Sequence, residues 1–235
     1  MSDNELITFT YNNIVYNYVY NKQDPSGKGC ITEIVNRDEY VLSKFSNIEN
    51  GHFIDIGANS GVATIILAKQ NPKSIVYSFE PHLETFKLLE SNVKVNKLTN
   101  VKLFNMGVSN KTTKNLTLTT HPLWSGGNTT YADEAAFESY HGSKNVVRTT
   151  VSTIGLDEIM NIHKIDKIHL LKIDCEGAEY DILYDSDYFK DNRIMNMVGE
   201  FHNLRYNSVD NNNEKLLDYS KKYVNGIIKI TMLTL

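Results

Sequence analysis

Asp55, Glu80, Asn105, Asp174, and Glu200 with His202 stand in, or just after, short apolar runs of the chain. Those runs, at 53–56, 74–79, 101–104, 168–173 and 195–201, have the length and content of buried strands. In an open parallel sheet the carboxyl ends of the strands line one edge, and ligands bind there where the strand order reverses. Acids gathered at one edge repel one another, so folding alone gives little reason to put them there. The pattern points to a ligand site.

Gly57 and Gly61 flank Ala58-Asn59-Ser60, and Val62-Ala63-Thr64-Ile65-Ile66-Leu67-Ala68-Lys69 then reads as a helix. This strand, turn and helix start has neither the G-x-G-x-x-G of dinucleotide enzymes nor a Walker loop. The glycines let the backbone turn sharply and approach a ligand closely. Glu80 closes the next strand, where a carboxylate can accept both hydroxyls of a ribose. A loop without a pyrophosphate cradle, beside a ribose-binding acid, fits an adenosine that carries no phosphate, such as S-adenosylmethionine.

Four blocks carry a resemblance: Phe53-Ile54-Asp55-Ile56-Gly57-Ala58-Asn59-Ser60-Gly61, Phe79-Glu80-Pro81, Leu171-Lys172-Ile173-Asp174-Cys175-Glu176-Gly177-Ala178-Glu179 and Gly199-Glu200-Phe201-His202. In order and spacing they resemble the signature blocks of FkbM-family methyltransferases, over about residues 30–205. The resemblance implies an α/β, doubly wound, mostly parallel sheet of the Rossmann-like class I methyltransferase type. It implies S-adenosylmethionine as cofactor and a hydroxyl acceptor on a sugar, glycan, polyketide or related small molecule. By motif, Asp55, Gly57, Asn59 and Gly61 would make the methionine and loop contacts, Glu80 would hold the ribose, and Asn105, Met106 and Gly107 would border the adenine. Met106-Gly107-Val108 departs from the Ala-Val-Ser type of exit more usual in the family.

Methyl transfer is an in-line displacement at a sulfonium, and a neutral hydroxyl needs a base. Asp174, His202 and Glu176 are the catalytic candidates, with Asp174 or His202 favoured as base; His202 has the intrinsic pKa suited to neutral pH. The alternative is that His202 only hydrogen-bonds Glu200 or Glu176. If a divalent metal is bound, its ligands would come from Asp174, Glu200 and His202, but the metal-free reading is preferred. Lys172 is expected to neutralise neighbouring acids. On the acceptor side, Trp124 offers a ring to sugar C–H faces, and Asn128 and Glu200 offer polar contacts; Trp124 as a packing plug is the alternative.

The elements needed to position these groups follow in order. Alternation over 6–20 around Asn12-Asn13 predicts an N-terminal β-hairpin, and 24–29 reads as a turn-rich loop. A helix is expected within 32–45, and strands and helices then alternate to a last strand at 227–233. The run 101–108 reads as one strand and its exit, 116–119 and 146–151 as further β segments, 153–160 as a short helix, and 120–145 as an irregular binding loop. One domain is expected over 1–235, with 1–45 as decoration and 46–235 as catalytic core. Family members commonly add an antiparallel strand after the point where this chain stops at Leu235, so that strand is expected to be missing or cut off.

The chain has 235 residues, a net charge of −4 and ordinary apolar and charged fractions. The acidic balance argues against bulk electrostatic binding of nucleic acid. No run approaches a membrane span, and no secretory signal precedes the two separated cysteines, Cys30 and Cys175, so a reducing cytoplasmic setting is expected. The frequent Tyr and Asn read as compositional bias. Two other functions compete: a non-catalytic adenosine-binding or scaffold domain, and a nucleic-acid ribose methyltransferase, for which no Lys-Asp-Lys-Glu tetrad can be assembled.

Overall fold

Strands β1 (Asn4–Tyr11) and β2 (Ile14–Asn21) pair antiparallel through Asn12-Asn13, both of which have positive φ, at 48° and 61°. That is what a two-residue hairpin of native twist requires. The computed structural model describes residues 3–121, 124–130, 146–203 and 212–234. Alternation along β2 sends Tyr16, Tyr18 and Tyr20 to one buried face.

Helix α1 (Pro25–Ile31) replaces the loop expected at 24–29. Asp24 caps it, accepting from Ser26 N at 2.9 Å, and Pro25 sits in the first turn, where its missing N–H has no helical partner to lose. The same residues serve turns, which is why the sequence reading went the other way. The single helix expected within 32–45 is also corrected: α1 runs into a π turn, Thr32–Asn36, and the chain bends before a 3-10 turn at Leu42–Lys44.

The remaining elements are β3 (His52–Ile56), α2 (Val62–Gln70), β4 (Ile75–Phe79), α3 (Leu83–Val95), β5 (Val101–Phe104), β6 (Gly107–Ser109), β7 (Asn115–His121), β8 (Trp124–Thr129), β9 (Val147–Gly155), α4 (Leu156–Ile162), β10 (Leu170–Ile173), α5 (Glu179–Asp185), α6 (Asp187–Lys190), β11 (Met197–Asn203), α7 (Asn213–Ser220) and β12 (Ile228–Thr234). Six strands form a parallel sheet in the order β12-β11-β10-β3-β4-β5. The chain winds outward from β3 to β5 and later outward from β10 to β12. The strand order therefore reverses between β3 and β10, and a ligand crevice is expected at their carboxyl ends.

Alternation along the strands divides the core between the two faces of the sheet. Ile54, Ile56, Leu171, Ile173 and Phe201 pack with α4, α5 and α7 on one face. Phe53, Val76, Leu170 and Val198 pack with α2 and the hairpin on the other. Between sheet and hairpin, α2 is buried on all sides except at Lys69, as a helix apolar all round must be. Asn92 on α3 exchanges hydrogen bonds with Val19 N and O, and Asn96, just past the end of α3, with Asn17 N and O, so two side-chain amides stand in for a neighbouring strand along β2. The Tyr and Asn content read as compositional bias thus has structural uses here.

A second sheet runs β6-β9-β7-β8. The strand expected at 101–108 splits, because the chain leaves the main sheet at Asn105-Met106 and enters the second one at Gly107. Thr153 belongs to β9, which continues to Gly155 before the helix begins. The stretch expected to be irregular from 120 is strand at 124–129; residues 131–145, with His141, lie outside the described residues.

Candidate active site

The donor-side loop leaves β3 at Ile56. Alternation places Asp55 on the same face as Phe53, turned toward α2 and away from the crevice. Asp55 is fully buried, accepts from Thr64 Oγ1 at 2.6 Å, and lies 3.3 Å from Lys172 Nζ, its register partner on β10. Gly57 has φ +72°, and a Cβ there would lie 1.8 Å from Asp174 O, so the crossing of the two strand exits leaves room only for glycine. Asn59 N donates to Glu80 Oε2 at 2.9 Å and His82 N to Oε1 at 2.8 Å, which fixes the Glu80 carboxylate at the end of β4. Burial pushes Glu80 up to about 7, against the lowering by those two backbone donors.

A cavity of about 540 Å³ opens over the carboxyl ends of β3 and β10. Gly57, Asn59, Glu80 and Gly107 line it, as do Asp174, Glu176, Glu200, His202, Trp124 and Asn128. Asp55, Gly61, Asn105 and Met106 do not. A Cβ on Gly61 would lie 2.4 Å from Leu89 Cδ1, so its place is the α2–α3 contact. The Asn105 amide donates to the carbonyls of Glu80 and Pro81 and shapes the exit of β4 from behind. Met106 packs against the core.

On the far side of the switch, Asp174, Glu176, Glu200 and His202 converge. His202 Nε2 is 3.5 Å from Glu176 Oε1, 3.5 Å from Glu200 Oε2 and 3.9 Å from Asp174 Oδ1. Its Nδ1 is 3.0 Å from Glu179 Oε1, and Glu179 also accepts from Cys175 N and Gly177 N. Burial pulls the imidazole down, but Glu176, Glu179 and Glu200 more than offset it and hold His202 well above its ordinary value. A cation with carboxylates on both nitrogens is no base at neutral pH, so the intrinsic-pKa reason for choosing His202 is lost in this setting. Burial raises Glu176 to about 8, partly countered by His202, and raises Glu200 in the same direction.

Asp174, Glu200 and His202 each present a donor atom within 4.8 Å of the others, the geometry of a cation site. The three fit a cation when the imidazole is neutral, and form an ion-pair cluster when it is protonated, the state toward which the surrounding carboxylates push it. Lys172 takes the neutralising part expected of it: its Nζ lies 3.3 Å from Asp55 and 3.5 Å from Asp174, and donates to Gly57 O at 2.6 Å.

The second sheet and α1 cover the cavity together. Gly126 N donates to Ser26 Oγ at 2.8 Å, and Thr129 Oγ1 to Glu176 O at 2.6 Å, tying β8 to both walls. Asn128 Oδ1 is buried without a hydrogen-bond partner among the described residues. Glu33, Arg37, Glu39 and Tyr40 also line the cavity, and Tyr40 reaches both Asp174 and Glu200. Sequence reasoning missed all four, since nothing in their spacing ties them to distant strand ends. Glu179, within the Asp174 block, was legible but was given no task.

A family model described as the methyltransferase FkbM domain matches residues 55–225. The chain is 26% identical over 162 residues to Methyltransferase 1 of Beauveria bassiana, covering 65% of each chain. It is 26% identical over 175 residues to Methyltransferase sdnD of Sordaria araneosa, covering 64% of this chain and 66% of that one. It is 24% identical over 224 residues to the AMB antimetabolite synthetase AmbE of Pseudomonas aeruginosa, covering 82% of this chain and 10% of that one. The chain therefore spans just under two thirds of the two fungal relatives and a tenth of the bacterial synthetase. Among the described residues, no helix is long and apolar enough to cross a membrane.

Proposed function

The chain belongs to the FkbM methyltransferase family, so its methyl donor is S-adenosylmethionine, and we propose that its acceptor is a hydroxyl of a sugar, a glycan or a related small molecule. The observation that carries this is one continuous cavity. Gly57, Asn59 and Glu80 line it together with Asp174, His202, Glu33, Arg37, Glu39 and Glu200. Donor and acceptor can meet inside it, and the carboxylates of Glu33, Glu39 and Glu200 in its wall suit paired hydroxyls. Its volume is that of a small-molecule site, so a larger glycan would enter by one end only.

In this reading Glu80 holds the ribose, Gly57 and Asn59 the methionine part, and Gly107 borders the adenine. Trp124, Asn128 and Glu200 receive the acceptor. The acceptor oxygen attacks the methyl carbon, the carbon–sulfur bond breaks with its electron pair passing to sulfur, and Asp174 takes the hydroxyl proton. Alignment of the two substrates supplies up to about 7–11 kcal/mol of the barrier, and the base roughly 10²–10⁴-fold. Residues 46–235 form the catalytic core of one domain, to which 1–45 are added.

A scaffold that only binds adenosine has no use for Glu176 and Glu200 pushed against His202, and a phosphate backbone would meet Glu33, Glu39 and Glu200 unfavourably. Incubating the protein with labelled S-adenosylmethionine and a panel of methyl glycosides tests the proposal. Label is expected on a sugar oxygen; label on RNA or on an amine, with none on any glycoside, would overturn it.

A further inference from the structure

We propose that Tyr40 is a positioning residue that fixes which oxygen of Asp174 receives the acceptor's proton. The inference rests on the reading of Asp174 as base. Tyr40 is buried, 3% exposed, and donates from its hydroxyl to Asp174 Oδ2 at 2.8 Å, with Glu200 Oε1 at 3.4 Å. Lys172 Nζ lies 3.5 Å from the same Oδ2 and 5.8 Å from the centre of the Tyr40 ring. Oδ2 is thus held by the Tyr40 hydrogen bond and drawn by the Lys172 charge, while Oδ1 turns toward His202 Nε2. Burial, with Asp174 and Glu200 nearby, pushes the Tyr40 phenol far up, so it remains a donor. Oδ1 is then the oxygen that takes the proton when the acceptor oxygen bonds the methyl carbon and the carbon–sulfur pair goes to sulfur.

The backbone around Tyr40 is built for this placement. Asp38 and Val41 have φ of +50° and +45°, a conformation costly for a β-branched residue such as Val41. Strain of this kind persists only where surroundings over-determine it. Here Val41 N bonds Asp38 O at 3.0 Å, and Tyr11 of β1 donates to the Asp38 side chain while accepting from Ser43 N. Thr231 on β12 donates to Glu39 at 2.7 Å. The hairpin read from sequence as decoration therefore anchors a residue of the site, and that residue precedes the family match at 55–225.

The test is Tyr40→Phe, which keeps the ring and removes the donor. With the methyl glycoside turned over fastest, kcat is expected to fall roughly 10–100-fold, while acceptor KM and S-adenosylmethionine affinity change less than about threefold. In an Asp174→Asn background, Tyr40→Phe should add no further loss. Unchanged kcat, weakened binding with kcat intact, or additive losses would overturn the inference. A crystal structure of Tyr40→Phe with the Asp174 carboxylate unmoved would overturn it without any acceptor. If Asp174→Asn alone keeps full turnover, the base reading itself fails; if it abolishes turnover and Tyr40→Phe leaves kcat unchanged, only the present inference fails.

Discussion

Lys172 and Asp55 face one another across the seam between β10 and β3, with Nζ 3.3 Å from Oδ1 and both side chains buried. The pair lies directly beneath the switch in strand order, and Lys172 also donates to the carbonyls of Ile56 and Gly57. Asp55 thus shapes the donor loop through Lys172 without reaching the cavity.

Removing one partner of a buried pair leaves the other charge uncompensated. Lys172→Met is expected to destabilise the protein by about 3–5 kcal/mol, and the double variant Asp55→Asn/Lys172→Met by clearly less. In a chain of this size that is a drop in Tm of roughly 6–20 °C for the single variant. Calorimetric melts check it; a single variant as stable as the parent would show that the pair is replaceable.

Glu80 is held by two backbone donors, so its geometry exists before any ligand arrives. Glu80→Gln keeps the shape but sets an NH2 against one of the two backbone donors and, above about pH 7 where Glu80 is ionised, removes the charge. Hydrogen bonds to charged groups contribute about 1.5–3 kcal/mol, so the Kd for S-adenosylmethionine should rise roughly 10–100-fold by titration calorimetry. An unchanged Kd would remove Glu80 from the donor site.

Much of this architecture was legible in the chain itself. The five apolar runs read at 53–56, 74–79, 101–104, 168–173 and 195–201 contain neighbouring strands, which begin one or two residues later at 75, 170 and 197, because fully buried parallel strands are apolar on both faces. Asp55 went astray because alternation tells which residues share a face, but not which face looks into the crevice. Tyr40 was illegible for another reason. Its place depends on left-handed turns at Asp38 and Val41 that no local propensity announces, and on a hairpin contact from Tyr11.

Protons bound by the buried cluster make stability depend on pH. Burial raises Glu176 from 4.5 to about 8, so between those values the fold retains a proton that the unfolded chain has lost, and its stability falls as pH rises. His202, held above 6.5, adds stability that is complete below 6.5 and is lost as pH climbs through its folded value. His52, His82, His163 and His169, all held low by burial, act in the opposite sense, so the difference between variants is the clean measure. Relative to the parent, Glu176→Gln should gain Tm progressively from pH 5 to pH 8 in melts at constant ionic strength. A constant difference would mean that Glu176 ionises normally in the fold.

Chelation decides between an ion-pair cluster and a metal centre at Asp174, Glu200 and His202. With Nδ1 held by Glu179 and Nε2 beside Glu176, Glu200 and Asp174, His202 is biased toward its protonated form, and a divalent cation would have to displace that proton. Turnover and Tm should therefore be unchanged in EDTA and in added Mg²⁺. Loss of activity on chelation, restored by a divalent cation, would recast the three residues as ligands. Glu179 would then be the outer carboxylate that orients the imidazole, and the acceptor hydroxyl would be activated by the metal before Asp174 could act as its base.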